Sequence, residues 1–315
     1  MTNSTNLLIS IVIPLYNEEL VLQEMRSRVS SMLDALHYNS EIILINDGSS
    51  DGTCRLAKDI CAADKRFKLI NFSRNFGHQL AVTAGIEKAK GDAIVIIDAD
   101  LQDPPELIPD MIKKWEEGFH VVYGVRKVRK GESYFKRTTA ALFYRLLRLM
   151  TNENIPVDTG DFRLIDKKVA AQLLQMKERS RFLRGMISWV GFRQCEIEYV
   201  REQRFAGTTK YPFRKMLNFA IDGMLSFSQI PLRVSMLFGF ISAFFSFLFI
   251  VYGLVVKYRY PEYAIPGWAS LFIASLFIGG VQLICIGILG EYIGRIYEEV
   301  KRRPLYIVDE EINFS

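Results

Sequence analysis

Charge is missing from two long stretches of this 315-residue chain: none falls between Val234 and Val256, and none between Gly267 and Gly290. At about 1.5 Å of helical rise per residue, each run is long enough to cross a hydrocarbon layer of roughly 30 Å. Polar surface interrupts the runs so little that a pair of buried core helices is the weaker reading. Cysteine is scarce, and Cys54, Cys61, Cys195 and Cys285 form neither a close pair nor a metal-ligand spacing. That excludes a disulfide framework and a thiolate metal site, and suits a reducing compartment. The N-terminus lacks the basic start of a signal peptide, so the large region before the apolar runs is expected to stay in the cytoplasm. No DNA or RNA recognition motif occurs, and a net charge of +5 is too small for a nucleic-acid track, although it fits an anionic membrane surface or phosphate-bearing substrates. Internal repeats and low-complexity tracts are also absent.

The first 125 residues hold alternating segments instead. Apolar, β-branched runs occur at 7–16, 41–47, 67–73, 93–98 and 120–126, with helical patterns near 18–36, 51–63, 78–90 and 105–117. This alternation predicts an α/β domain with a mostly parallel sheet and helices on both faces. Ligands of such sheets bind beyond the carboxyl ends of the strands. Further on, the pattern predicts a helix over 137–150, a loop over 152–166, a helix near 167–176 and a strand near 193–201. Apolar residues from Phe213 to Leu225 recur at i, i+3, i+4 and i+7, which predicts an interfacial helix before the first apolar run. Arg233, Arg295, Lys301, Arg302 and Arg303 flank the two runs, against Lys257 and Arg259 between them, a bias that favours a hairpin with both ends inside. The expected divisions are an α/β domain over 1–212, the interfacial helix over 213–231, a two-helix hairpin over 232–293 and a tail over 294–315.

The polar residues at the predicted strand ends carry the candidate chemistry. Asp47, in "NDGSSDGT", can accept hydrogen bonds from the N–H groups of a base, while Asp51 suits the N-cap of the next helix. In "DADLQDPPE", Asp98, Asp100 and Gln102 alternate and can point one way, a hard-oxygen set suited to Mg2+ or Mn2+ completed by substrate phosphates. The same acids could serve only to close the strand and start a helix, and spacing alone does not choose; Asp103 is expected as the cap of the helix at Pro104 and Pro105. Arg126, Arg129 and Arg137 follow the fifth strand, and Arg204 and Lys210 lie in "RFAGTTKYPF"; both groups suit phosphate, the second also lipid headgroups. Asp158 and Asp161 flank a Thr-Gly turn, and spacing does not say which of them meets a substrate.

In this order "PLYNEE", "NDGSSDGT", "RNFG", "DADLQDPPE", "GVR", "DTGDFRL" and "RFAGTTKYPF", followed by two apolar runs and "GEYIGRIYEEVKRRPLY", resemble the polyprenyl-phosphate glycosyltransferases. These are family 2 enzymes of the GT-A (Rossmann-like) fold, and the two-span arrangement is most similar to the GtrB-type bactoprenol glucosyltransferases. The resemblance implies that Pro14, Tyr16, Asn17, Glu18 and Asp47 form a pocket for the base and ribose. It assigns Asp98, Asp100 and Gln102 to metal and diphosphate, Asp158 to the acceptor or donor sugar, and Arg126, Arg137, Arg204 and Lys210 to phosphates. Thr209 stands where the family often has Ser and keeps the hydroxyl.

The expected activity is inverting transfer of one sugar, glucose from UDP-glucose, to undecaprenyl phosphate at the inner membrane, with the catalytic domain and both termini cytoplasmic. Donors of the GDP-mannose or UDP-amino-arabinose type are the alternatives. Rivals of another class are a membrane-anchored nucleotide-sugar binding protein and a flippase for the lipid-linked sugar. Processive family 2 synthases carry a Q-x-x-R-W motif that "RGMISWV" lacks. Membrane lipids and further copies of the chain are expected partners, with the strand-like end of the tail suited to packing on a neighbouring copy.

Overall fold

The computed structural model describes residues 7–126, 159–200, 230–259 and 267–314, and divides into two units. The first joins residues 1–220 to 303–315, and the second covers 221–302. Sequence expectations for a helix over 137–150 and for the interfacial helix over 213–231 lie outside the described residues, apart from Ile230 and Pro231, which open a long apolar helix instead.

An eight-stranded mixed sheet organises the first unit. Its strands are β1 (Leu8–Leu15), β2 (Asn39–Asn46), β3 (Phe67–Phe72), β4 (Ala93–Ile96), β5 (Val121–Arg126), β6 (Thr159–Asp166), β7 (Gln194–Tyr199) and β8 (Val308–Ile312). The spatial order is β7-β5-β6-β4-β1-β2-β3-β8. Parallel pairing of β4, β1, β2 and β3 follows from the helices that cross between them, α1 (Leu22–Asp34), α2 (Thr53–Ala63) and α3 (His78–Lys88). Strands β1 and β2 are buried along almost their whole length, as sheets covered on both faces require. Helix α3 lies so close to β1 that a Cβ on Gly85 would sit 2.3 Å from Val12 Cγ1. Glycine at that position lets the helix seat, and His78 rides on its first turn.

Two features depart from expectation. Residues 159–166 form no loop: β6 inserts between β4 and β5 and runs antiparallel to both. Its polar start, Thr-Gly-Asp, reads as a turn, yet Phe162 and Leu164 are fully buried and even Arg163 is only 4% exposed. The tail also turns inward, because β8 pairs antiparallel with β3 of its own chain rather than standing free for a neighbouring copy. After β4 a single 3-10 turn, Pro105–Leu107, leads into α4 (Ile108–Glu116), while α5 (Lys167–Gln175) and α6 (Leu183–Trp189) follow β6.

The second unit is a pair of long helices, α7 (Ile230–Arg259) and α8 (Trp268–Val300), of 30 and 33 residues. By length and composition both can cross a membrane, and their apolar side chains, Phe238, Phe240, Phe244 and Leu283 among them, are exposed. Core helices of a soluble protein bury such surface. Within the pair, Cys285 Sγ lies 3.4 Å from the carbonyl oxygen of Ser235.

Candidate active site

Four loops meet at the carboxyl edge of the parallel strands. Those after β1 and β2 are stitched together: Asn17 N–H donates to Ser49 Oγ (3.0 Å), Ser50 N–H to Asn17 Oδ1 (2.8 Å) and Glu18 N–H to Thr53 Oγ1 (2.8 Å). Glu19 and Asp51 reciprocate, with Gly52 N–H donating to Glu19 Oε2 (2.9 Å) and Glu19 N–H to Asp51 Oδ2 (3.3 Å). Asp51 also accepts from Thr53 N–H at 3.0 Å, but it is not the expected N-cap of α2: that position falls one residue later, on Gly52, which has no side chain to cap with. Asn17 holds the left-handed conformation (φ 54°), so the turn after β1 is fixed by its contacts rather than by a glycine. Pro14 is buried within β1, whereas Tyr16 beside it is 41% exposed.

Asp47 lies at the end of β2, 3% exposed, and grips the loop after β3. Its carboxylate accepts from Phe76 N–H (2.7 Å), Gly77 N–H (3.0 Å) and Asn75 Nδ2 (3.0 Å). Burial pushes this carboxyl up, and the amide donors of Phe76 and Gly77 work against the rise. Gly48 makes the close approach possible: its φ is +64°, and a Cβ would come within 2.4 Å of the backbone at Arg74 and Asn75.

β4 ends at Ile96, and through the turn beyond it burial alternates along the chain. Ala99, Leu101 and Asp103 are buried, while Asp98, Asp100 and Gln102 are partly open on the other side. Asp100 Oδ1 accepts from Gln102 N–H at 3.1 Å across Leu101, whose φ of 57° is unusual for a branched side chain. Asp103 caps no helix. It is fully buried and accepts a hydrogen bond from the Tyr199 hydroxyl of β7, and Pro104 takes the place before the 3-10 turn. A buried carboxylate that can bind a hydroxyl has no need to reach the solvated helix start.

One cluster could not be foreseen from spacing. His78 Nε2 lies 3.2 Å from Asp161 Oδ2 on β6 and 3.7 Å from Asp98 Oδ1. Gln79 Nε2 donates to Asp161 at 3.3 Å, and Arg184 of α6 and Arg163 approach its other oxygen at 3.5 and 3.8 Å. Burial would raise Asp161, but His78, Arg184 and Arg163 hold its carboxyl well below the usual carboxylate range. Burial alone would lower the His78 imidazole; Asp98, then Asp161 and Asp47, outweigh it and push it up to about 9. Asp98 is pushed up to about 6 by burial, with His78 opposing and Asp161, Asp103 and Asp100 adding to the rise. Of the residues expected at the site, Asp47, Asp98, Asp100 and Gln102 thus line one edge. Asp158, Arg137, Arg204 and Lys210 lie outside the described residues, as does the side chain of Arg126, which ends β5.

Crowded, partly open carboxylates in which one resists ionisation suit a divalent cation. Among the described residues no three His, Cys, Asp or Glu side chains converge as a complete metal cage.

An α/β sheet with acids gathered at its carboxyl edge agrees with what sequence comparison finds. The profile of glycosyl transferase family 2 matches residues 10–174, more than half of the chain, and the chain belongs to that family: it is a glycosyltransferase. It is 51% identical over 301 residues to the uncharacterized glycosyltransferase YkcC of Bacillus subtilis (strain 168), covering 96% of this chain and 93% of that one. With the bactoprenol glucosyl transferase of Shigella phage SfII it shares 41% identity over 300 residues, covering 95% and 97%. Among solved structures, glucosyl-3-phosphoglycerate synthase from Mycobacterium tuberculosis in complex with phosphoglyceric acid is similar with a TM-score of 0.49 and 19% identity, covering 70% of this chain and 80% of that one.

Proposed function

We propose that this enzyme transfers one sugar, glucose from UDP-glucose, onto a polyprenyl phosphate at the cytoplasmic face of the inner membrane, with inversion. The observation that carries the reading is the 41% identity with the phage bactoprenol glucosyl transferase, which runs through the sheet and the two apolar helices alike. Connectivity supports the membrane part: β8 follows the helix pair in the chain yet joins the sheet that precedes it, so both ends of the hairpin belong to one domain. Two crossings satisfy that condition, and one does not.

In this reading the loops carrying Pro14, Tyr16, Asn17, Glu18 and Asp47 receive the base and ribose. A divalent cation, Mg2+ or Mn2+, held by Asp98, Asp100 and Gln102 would neutralise charge developing on the departing diphosphate. His78 adds a donor beside Asp98, and Asp161 fixes its ring. Arg126, Arg137, Arg204 and Lys210 receive phosphate groups, the last two that of the lipid. An acceptor phosphate is already anionic near neutral pH, so Asp158 acts by orienting the reactants more than by removing a proton.

The test is transfer of radiolabel from UDP-glucose into lipid-extractable material by membranes carrying the wild type or Asp100→Ala, with GDP-mannose and a UDP-amino-sugar as competing donors. Label passing to polyprenyl phosphate, abolished by chelator and by Asp100→Ala, is the expected result. Full activity of Asp100→Ala in chelator would remove the metal from the mechanism, and preference for another donor would remove glucose.

A further inference from the structure

We propose that the C-terminal strand β8 is a positioning element for the donor: it holds the loops that receive the nucleotide's base, and nucleoside diphosphate affinity depends on it. The inference rests on the reading of Asp47 and its neighbours as the base-side pocket.

Two chains of contacts lead from the tail to those loops. In the first, the ring of Tyr306 stacks on Phe72 (centroids 4.8 Å apart, planes 18° apart), and Phe72 meets Phe76 edge to face at 5.6 Å. Phe76 in turn gives its amide to Asp47, and the Arg74 guanidinium covers its ring at 4.0 Å. Just beyond the strand pairing, Ser73 N–H donates to the carbonyl of Ile307 (3.1 Å), so the loop after β3 leaves the sheet from a backbone that the tail has fixed. In the second chain, Asn71 Nδ2 donates to Asp309 Oδ2 (3.2 Å), Asn46 Nδ2 to Asn71 Oδ1 (2.7 Å), and Ser49 N–H to Asn46 Oδ1 (3.4 Å). Ser49 is the residue that receives the Asn17 amide. Both chains end on the loops after β1, β2 and β3, whereas the remaining anchors of β8 tie it to α2, α3 and the start of β3. Lys58 pairs with Glu310 (2.5 Å), Lys88 with Glu311 (2.7 Å), and Asn313 donates to the carbonyls of Cys61 and Phe67. The strand is therefore held by one set of contacts and delivers its effect through another, and the two can be separated by mutation.

The experiment measures UDP and GDP binding by calorimetry on the full-length protein in detergent, for the wild type, Tyr306→Ala, Tyr306→Phe, Asp309→Ala and Lys58→Ala, together with KM for donor and acceptor. Loss of the stacked ring is expected to raise the Kd of the preferred nucleotide roughly tenfold. The donor KM should rise with it, while the acceptor KM and the melting curve of the helix pair stay in place. Tyr306→Phe keeps the ring and should bind as the wild type, as should Lys58→Ala. Asp309 is exposed, so Asp309→Ala should fold even if Tyr306→Ala does not, and should weaken binding about threefold. Wild-type affinity in both Tyr306→Ala and Asp309→Ala would overturn the proposal. A wild-type protein that binds neither UDP nor GDP would instead overturn the pocket assignment beneath it.

Discussion

His78 on α3 and Asp161 on β6 meet at 3.2 Å, although they lie 83 positions apart in the sequence. Asp161 faces two further cations, Arg163 and Arg184, whose side chains are 5% and 13% exposed. Replacing it by Asn would leave these charges without their shared counter-ion. Asp161→Asn is expected to lower stability by about 2–3 kcal/mol, and His78→Ala, which spares the two arginines, to lower kcat/KM by roughly 10²-fold with little change in melting temperature. Thermal melts beside Michaelis curves separate the two roles; equal effects of both variants on stability would refute the division.

Gly48→Ala tests the fit between the loops after β2 and β3. Its Cβ would strike backbone atoms of Arg74 and Asn75 at 2.4 Å, and its φ of +64° disfavours any side chain. The loop after β3 must then move away from Asp47. Destabilisation of at least about 2 kcal/mol and a donor KM raised roughly tenfold are expected, measured by denaturant melts and initial rates.

Glu41 belongs to the opposite edge of the sheet, so its removal should harm stability and spare catalysis. Only 4% exposed, it accepts from Ser10 Oγ (2.5 Å) and Lys90 N–H (2.7 Å) and pairs with Lys68 at 2.6 Å. Burial would raise its pKa, but these donors, Lys68 foremost, hold it below the usual glutamate range. A carboxyl depressed in the folded state stabilises above its unfolded pKa, and that contribution is lost as pH falls through the folded value. Glu41→Gln should therefore lose about 2–3 kcal/mol at neutral pH and show a flatter acid limb than the wild type. Melting temperatures measured from pH 7 down to 3 will show it; parallel curves would count against it.

Tyr199→Phe removes the hydroxyl that donates to buried Asp103 while leaving the ring packed on Phe162. The expected loss is about 1–3 kcal/mol, with a donor KM several-fold higher because Asp103 anchors the chain that bears Asp98 and Asp100. Thermal melting and donor titration together check this.

Most of the sheet was legible because local and tertiary preferences agree. "ISIVIP" and "EIILIN" have one use, as strands covered on both faces. The expected alternation of Asp98, Asp100 and Gln102 is present, but continued pleating does not produce it: β4 stops at Ile96, and a turn with Leu101 at φ 57° sets their exposure. β6 was not legible, since Asp161 and Arg163 look like surface charge until helices α3 and α6 supply their partners. The same holds for His78, an ordinary first residue of a helix until β4 and β6 close around it. Asp103 misled in the other direction: its position before two prolines imitates a cap, and only Tyr199, almost a hundred residues later, shows where the carboxylate turns.

The edge position of β8 has a consequence for biosynthesis. β8 follows every other described strand, and both apolar helices, in chain order, so until it is made β3 carries an open row of backbone donors and acceptors. The edge closes only after the helix pair has been synthesised, and a product that stops short of β8 stays marked by an unpaired strand that chaperones and proteases can recognise.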